Sequence, residues 1–117
     1  MKPKICLGTA QYGLSYGVTN SEGQVAEEEI RAIFEEASAS RLGWLDTAQA
    51  YGVSEEMLGR TLPTNHGFKI VSKLAPQKQN IFTVDDLNDW DSSFKRTLGR
   101  LRTNMIDCLL YTSPSPR

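Results

Sequence analysis

Three polar residues of this sequence could together deliver a proton: an aspartate, a tyrosine and a lysine. Asp46 follows the residues GWL, Tyr51 lies five residues later, and Lys73 follows FKIVS. An ammonium group beside a phenol favours the phenolate and so lowers the tyrosine pKa. A carboxylate would hold that ammonium charged and oriented. The set predicts Tyr51 as a general acid, assisted by Lys73 and Asp46, toward the alkoxide that forms when a carbonyl is reduced.

Each of these residues also has a structural alternative when it is taken alone. Asp46 could form a turn or cap a helix, Tyr51 could be a packing residue, and Lys73 could be a surface lysine. Their joint arrangement favours the active-site interpretation over the three separate roles.

Alternating strands and helices must bring the three residues together, because they are far apart in the sequence. Short apolar runs predict strands over residues 4–10, 43–47, 68–74 and 105–110. A helix is predicted from about residue 26, where Glu27, Glu28 and Glu29 suit its positive end and Ile30, Ile33, Phe34 and Ala37 have helical spacing. A second is predicted from about Thr83, with Asp86 as its capping partner, and a short helix capped by Ser54 is predicted to end near Gly59. Such alternation implies parallel strands, whose carboxyl ends share one face.

The order of these elements favours an α/β fold built as the N-terminal half of a (β/α)8 TIM barrel. A doubly wound sheet is the alternative, but no GxGxxG follows the first strand and the candidate residues are spread over several strand ends. At roughly 30 residues per strand and helix, the chain supplies about half of an eight-unit barrel. We therefore predict about four parallel strands with alternating helices, a truncated barrel.

The composition disfavours several classes of partner. Thirteen basic and 14 acidic residues give a net charge of −1, which provides no electrostatic attraction to nucleic acid or to a membrane surface. No stretch approaches the ~20 apolar residues of a membrane helix, and the first residues do not resemble a signal peptide. Cys6 and Cys108 each lie in a strand-like run, so we predict buried free thiols and a cytoplasmic location.

Two further features favour ordinary structural roles. His66 lies in the turn-like stretch TLPTNHG and is predicted to be a surface histidine. With one histidine and no cysteine cluster, a catalytic zinc site is disfavoured. The stretch QYGLSYG has the glycines of a phosphate-binding loop but lacks its GK[ST] ending, so a plain loop is predicted.

Three stretches of the sequence together resemble the N-terminal half of an aldo-keto reductase: LGTAQYGLSYGV (7–18), LDTAQAYGVSEEMLG (45–59) and VSKL (71–74). The middle stretch is the most specific, because this family carries D-T-A-x-x-Y-G followed by a small helix that opens with Ser-Glu. The resemblance covers roughly residues 4–107. It implies a (β/α)8 barrel that reduces aldehydes or ketones with NADPH, with NADH as an alternative, and without a metal.

The resemblance gives Asp46 and its two partners the roles derived above, and it implies further contacts. It places Gly8 and Thr9, together with Asp46, beside the nicotinamide cofactor, and it places Tyr12 in the lining of the pocket for a small carbonyl substrate. The family also has a histidine at the end of strand four, where this sequence has Thr112. Its main phosphate and adenine contacts come from the last strands of the barrel, so we expect this chain alone to be inactive.

The last ten residues, CLLYTSPSPR, have a different predicted origin. A transposase sequencing adapter, read as TGT CTC TTA TAC ACA TCT CCG AGC CCA CGA, translates to the same ten residues. We therefore predict that residues 1–107 are the N-terminal part of the barrel and that residues 108–117 are a non-native tail. A natural Ser-Pro extension is the alternative.

Two other functions stay open from the sequence. One is a regulatory barrel that binds the cofactor and senses redox state without turnover, and the other is a different barrel enzyme such as an isomerase. A histidine at the end of strand four in the intact gene would favour catalysis, whereas an isomerase would not bind NADPH. The sequence does not specify the substrate or the oligomeric state.

Overall fold

In a computed structural model, which describes residues 4–15, 17, 21 and 23–111, the chain forms an open sheet of four parallel strands with intervening helices. The strands are β1 (Cys6–Gly8), β2 (Trp44–Asp46), β3 (Lys69–Lys73) and β4 (Cys108–Leu110). The helices are α1 (Ala10–Gly13), α2 (Glu27–Ala39), α3 (Ser54–Thr61) and α4 (Val84–Leu101). Neighbours in the chain are neighbours in the sheet, and every pairing is parallel. The predicted alternation of parallel strands and helices is confirmed.

Side-chain alternation gives the sheet a helix-covered face and an open face. Leu45 of β2 and Ile70 of β3 pair in register and are buried under the helices. Asp46 pairs with Gly8 on one side and with Val71 on the other, so these three lie on the opposite, open face. Lys73, two residues beyond Val71, lies on that face as well.

The helix-covered face holds the hydrophobic core. Ile30, Phe34 and Ala37 of α2 are buried at the predicted helical spacing and contact the same core as Leu45 and Ile70. Fully burying a side chain as large as that of Ile30 or Phe34 stabilises the fold by roughly 1.5–3 kcal/mol. Three glutamates in the first turn of α2 stand at the positive end of the helix dipole, as expected.

The two cysteines do not match their predicted burial. Cys6 is exposed and Cys108 is half-buried, and both are free thiols. Cys6 alternates with Leu7 along β1, so its side chain falls on the open face instead of in the core. The apolar run around Cys6 indicated a strand but did not indicate which face each side chain would occupy.

The short helix α3 begins and ends differently from its prediction. Ser54 is the first helical residue and not the cap, which is Val53 and forms no side-chain capping bond. The Ser54 hydroxyl is engaged elsewhere: it donates to the Thr9 carbonyl oxygen at 3.0 Å. The helix also continues past Gly59 to Thr61. Gly59 does not end the helix but allows α4 to pack closely against it. A Cβ at Gly59 would overlap the carbonyl oxygen of Arg100 in α4.

Helix α4 begins as predicted, with Asp86 as the capping partner of Thr83. The Asp86 carboxylate accepts the backbone N–H of Thr83 at 2.7 Å. The apolar face of α4 is only partly covered, since Leu101 is buried but Leu87 is exposed. The uncovered part forms an apolar groove of about 650 Å³, lined by Gln77, Phe82, Thr83, Val84, Leu87, Trp90 and Tyr111.

Candidate active site

The carboxyl ends of β2 and β3 bring Asp46 and Lys73 into contact. Lys73 Nζ lies 2.6 Å from Asp46 Oδ1 and donates a second hydrogen bond to the Thr47 carbonyl oxygen at 3.1 Å. About a third of each side chain is exposed, 32% for Asp46 and 29% for Lys73. The ion pair therefore lies at the surface of the open face, accessible to a ligand.

Tyr51 lies against the same ammonium group. The centroid of its ring is 5.1 Å from Lys73 Nζ, within the range of a cation–π contact. Burial disfavours the charge of Lys73, but the hydrogen bond and charge of Asp46, together with Tyr51, outweigh it and raise the pKa of Lys73 above its ordinary value. Lys73 is thus a fixed positive charge at neutral pH, held between a carboxylate and a phenol.

A tight turn between β2 and α3 carries Tyr51 to this position. The Tyr51 N–H donates to the Ala48 carbonyl oxygen at 3.1 Å, and the Ser54 N–H donates to the Tyr51 carbonyl oxygen at 3.0 Å. Gly13 of α1 packs directly on this turn, since a Cβ at Gly13 would overlap the Tyr51 carbonyl oxygen and the Ser54 nitrogen. The turn is held from outside by α1 and from within by its own hydrogen bonds.

Gly8 and Thr9, the other two residues predicted at the cofactor, differ in what they offer. No heavy atom lies within 4 Å of the position that a Cβ of Gly8 would take, so the space beside Asp46 is open. The Thr9 hydroxyl is fully buried and donates to the Asp46 carbonyl oxygen at 2.7 Å. The Thr9 N–H donates to the same Asp46 carbonyl oxygen at 3.0 Å. Thr9 therefore joins β1 to β2, and this fully buried placement does not fit its predicted contact with a cofactor.

Tyr12 lies elsewhere than its predicted role requires. Its side chain is 4% exposed and packs edge-on against Phe34 of α2, with ring centroids 5.8 Å apart. Burial, with a smaller contribution from Glu29, raises its pKa to about 12. The hydroxyl has no hydrogen-bond partner among the described residues. Tyr12 is a core residue of the helix-covered face, and this placement does not fit a substrate-lining role.

His66, Thr112 and the predicted absence of metal and membrane features are the remaining points from the sequence. His66 is half-buried, and its Nδ1 accepts the Phe68 N–H at 3.2 Å while burial lowers its pKa. Thr112, the position where a histidine was expected, lies outside the described residues. In the described part of the chain, no group of acidic, histidine and cysteine residues could hold a metal ion, and no helix could span a membrane.

Sequence analysis missed two groups of buried polar side chains that surround the Tyr51 turn. The first consists of three hydroxyls: Ser54 Oγ lies 2.9 Å from both Thr9 Oγ1 and Thr47 Oγ1. The second surrounds Glu55, a carboxylate that is only 2% exposed. A signal for Glu55 was present, because it precedes the core residue Leu58 by three positions and so shares its helical face.

Comparisons with known proteins agree with this fold. A family model described as the aldo/keto reductase family matches residues 4–117. A structure of a proposed aldo-keto reductase from Pseudomonas aeruginosa superposes with a TM-score of 0.73 at 32% identity, covering 91% of this chain and 41% of its own. A second structure from that organism, also of a proposed aldo-keto reductase, gives 0.70 at 30% identity, covering 91% and 40%. No match to a curated protein reaches significance.

The chain therefore spans about two fifths of the length of these solved structures. Its four-stranded open sheet corresponds to a truncated part of their (β/α)8 barrel, as predicted. The family match continues through residue 117, and residues 108–110 pair with β3 as the strand β4. The adapter origin of residues 108–117 stays a prediction.

Proposed function

Because this chain belongs to the aldo/keto reductase family, we propose that it is the N-terminal part of an NADPH-dependent enzyme that reduces aldehydes or ketones to alcohols. The observation that carries this proposal is the contact of the Tyr51 ring with the Lys73 ammonium, which Asp46 holds at 2.6 Å. A phenol beside a fixed positive charge, on an accessible strand end, is suited to give a proton to a carbonyl oxygen.

The roles of the three residues follow from charge balance. When bound, the nicotinamide cofactor supplies a hydride to the carbonyl carbon. Tyr51 then gives its hydroxyl proton to the carbonyl oxygen, which becomes the alcohol, and the phenolate left behind is stabilised by the Lys73 ammonium. Asp46 keeps Lys73 charged and oriented through their hydrogen bond. Tyr51 regains a proton from water after the product leaves.

An open space beside Asp46 supports the cofactor position that the family resemblance implies. Gly8 leaves space directly beside Asp46, and a side chain there would fill it. Thr9 is left out of the proposed cofactor contacts, because the residue is fully buried and both its hydroxyl and its backbone are bonded within the protein. We assign NADPH by the family resemblance, with NADH as the alternative, and a small carbonyl compound as substrate.

This activity is proposed for the whole protein, since the chain spans 41% of the first solved relative. We propose residues 1–107 as the N-terminal part of the barrel and residues 108–117 as a non-native tail. We expect no turnover from the chain alone, because the family's main cofactor contacts belong to later strands. We place the enzyme in the cytoplasm, where an exposed free thiol such as Cys6 stays reduced.

The test is a hydride-transfer assay with NADPH and a panel of aldehydes, on the protein extended to the length of its relatives. Tyr51→Phe should lower kcat by about 10²- to 10⁴-fold, the usual contribution of a general acid. Tyr12→Phe is the matched control and should keep the rate, because its hydroxyl is buried away from the site. An unchanged rate in Tyr51→Phe would refute the proposal, and NADPH binding without any turnover would favour a redox sensor.

A further inference from the structure

A buried carboxylate on the helix-covered side of the sheet ties three elements together behind the site. Glu55 of α3 accepts the Ser72 hydroxyl of β3 at 2.8 Å. Its other oxygen accepts Arg100 of α4 twice, from Nε at 2.9 Å and from Nη2 at 2.7 Å. The Thr97 hydroxyl adds a bond at 3.2 Å. We call Glu55, Ser72, Thr97 and Arg100 the Glu55 clamp.

The Glu55 clamp joins the two segments that carry the proposed proton-transfer pair. Glu55 lies four residues after Tyr51, in the first turn of the helix that the Tyr51 turn leads into. Ser72 immediately precedes Lys73 and points to the opposite face of β3. A shift of α3 against β3 would therefore move Tyr51 relative to Lys73.

Gln49 joins the first part of the Tyr51 turn to β3 and α4, the two elements that Glu55 also contacts. Its backbone N–H donates to the Lys73 carbonyl oxygen at 3.0 Å, and its Oε1 accepts the Ala75 N–H at 2.9 Å. Its Nε2 donates to Thr97 Oγ1 at 2.9 Å, so it also meets the Glu55 clamp. Tyr51 is thus held between two residues that are both bonded to β3 and to α4.

We infer that Glu55 is a positioning residue, which fixes the separation of Tyr51 and Lys73 through its bonds to Ser72 and Arg100. A carboxylate as buried as Glu55 is a poor device for stability alone, because its desolvation offsets the attraction of the partly exposed Arg100 and an apolar side chain could fill the same space. Four directed hydrogen bonds to one carboxylate instead specify a geometry. The role rests on the proposed function, in which an error of about 1 Å between reacting groups can cost about 100-fold in rate.

Three variants separate this role from general stabilisation. Glu55→Gln keeps the shape but replaces one acceptor oxygen by a donor that must face Arg100 or Ser72. Ser72→Ala removes only the bond to β3 and leaves the ion pair with Arg100 in place. Glu56→Gln, an exposed carboxylate in the same helical turn, is the matched control.

The main readout is the pKa of Lys73, followed by NMR of the labelled lysine in this chain, beside the urea unfolding curve of each variant. Glu55→Gln should lower that pKa in part, because Tyr51 moves relative to Lys73, whereas the hydrogen bond from Lys73 to Asp46 on the neighbouring strand stays. Ser72→Ala should lower it less, and Glu56→Gln should leave it unchanged. In the extended protein, Glu55→Gln should reduce kcat by about 10- to 100-fold with little change in KM.

The outcomes distinguish this inference from the proposed function. An unchanged Lys73 pKa in folded Glu55→Gln overturns the Glu55 clamp, even where Tyr51→Phe abolishes turnover. If Glu55→Gln does not fold, folded Ser72→Ala decides in the same way. A shifted Lys73 pKa combined with full activity in Tyr51→Phe supports the geometric coupling and refutes the catalytic proposal instead.

Discussion

Replacing Gly59 by alanine should destabilise the fold, although the same change usually stabilises a helix. Alanine in a helix interior is favoured over glycine by roughly 1 kcal/mol. At Gly59, however, the added methyl would overlap the backbone carbonyl of Arg100, which cannot rotate away as a side chain could. Overpacking of this kind costs about 1–3 kcal/mol, and α3 must move from α4 to relieve it. Because the clash is with a backbone atom, we take the upper part of that range, about 2–3 kcal/mol. Less the roughly 1 kcal/mol that alanine gains in the helix, Gly59→Ala should lower the free energy of unfolding by about 1–2 kcal/mol.

Urea unfolding followed by circular dichroism measures this effect. With a slope of about 2 kcal/mol per molar urea, the midpoint should fall by roughly 0.5–1 M. Gly99→Ala in α4 is the matched control, since no atom lies within 4 Å of its Cβ position and the residue is exposed. It should raise the midpoint by a similar amount. A stabilised Gly59→Ala would refute the close approach of α3 and α4 on which the Glu55 clamp depends.

Two further predictions concern ionisation at high pH. Burial raises the pKa of Tyr12 to about 12. The neutral phenol therefore stabilises the fold below the ordinary tyrosine pKa near 10, and this stability is lost as the pH rises from about 10 to 12. Tyr12→Phe should flatten the fall of the urea midpoint over this pH range, and an unaltered fall would contradict the burial of Tyr12. Asp46→Asn should lower the raised pKa of Lys73, because the Asp46 carboxylate is the main negative charge beside its ammonium group. An NMR titration that gives the same Lys73 pKa in this variant would show that the ion pair does not form in solution.

The sequence predicted the fold and the meeting of three site residues for one physical reason. Parallel strands place their carboxyl ends on one face, so residues just after β2 and β3 must converge wherever the strands pair in chain order. Asp46 and Lys73 needed no further information than that order. Tyr51 comes five residues after Asp46 in the sequence, so it could not lie far from the end of β2.

Other placements could not be predicted, because they depend on contacts between distant segments. The partners of Glu55 lie 17 and 45 residues away, at Ser72 and Arg100, and neither pairing has a local signal. Tyr12 lies in a single turn of helix, too short to show a periodic apolar face. Cys6 lies in a three-residue strand whose apolar run did not reveal the alternation of faces.

The strands lie in the sheet in the same order as in the sequence, and this order matters while the chain is being synthesised. The ribosome adds about 5–20 residues per second, which is slow compared with the formation of local structure. Each strand from β2 onward emerges when the strand that precedes it in the sheet has already left the ribosome, so each can pair on arrival. The Tyr51 turn can therefore meet Lys73 once β3 has left the ribosome, and its position becomes fixed when α4 follows with Arg100, the partner of Glu55.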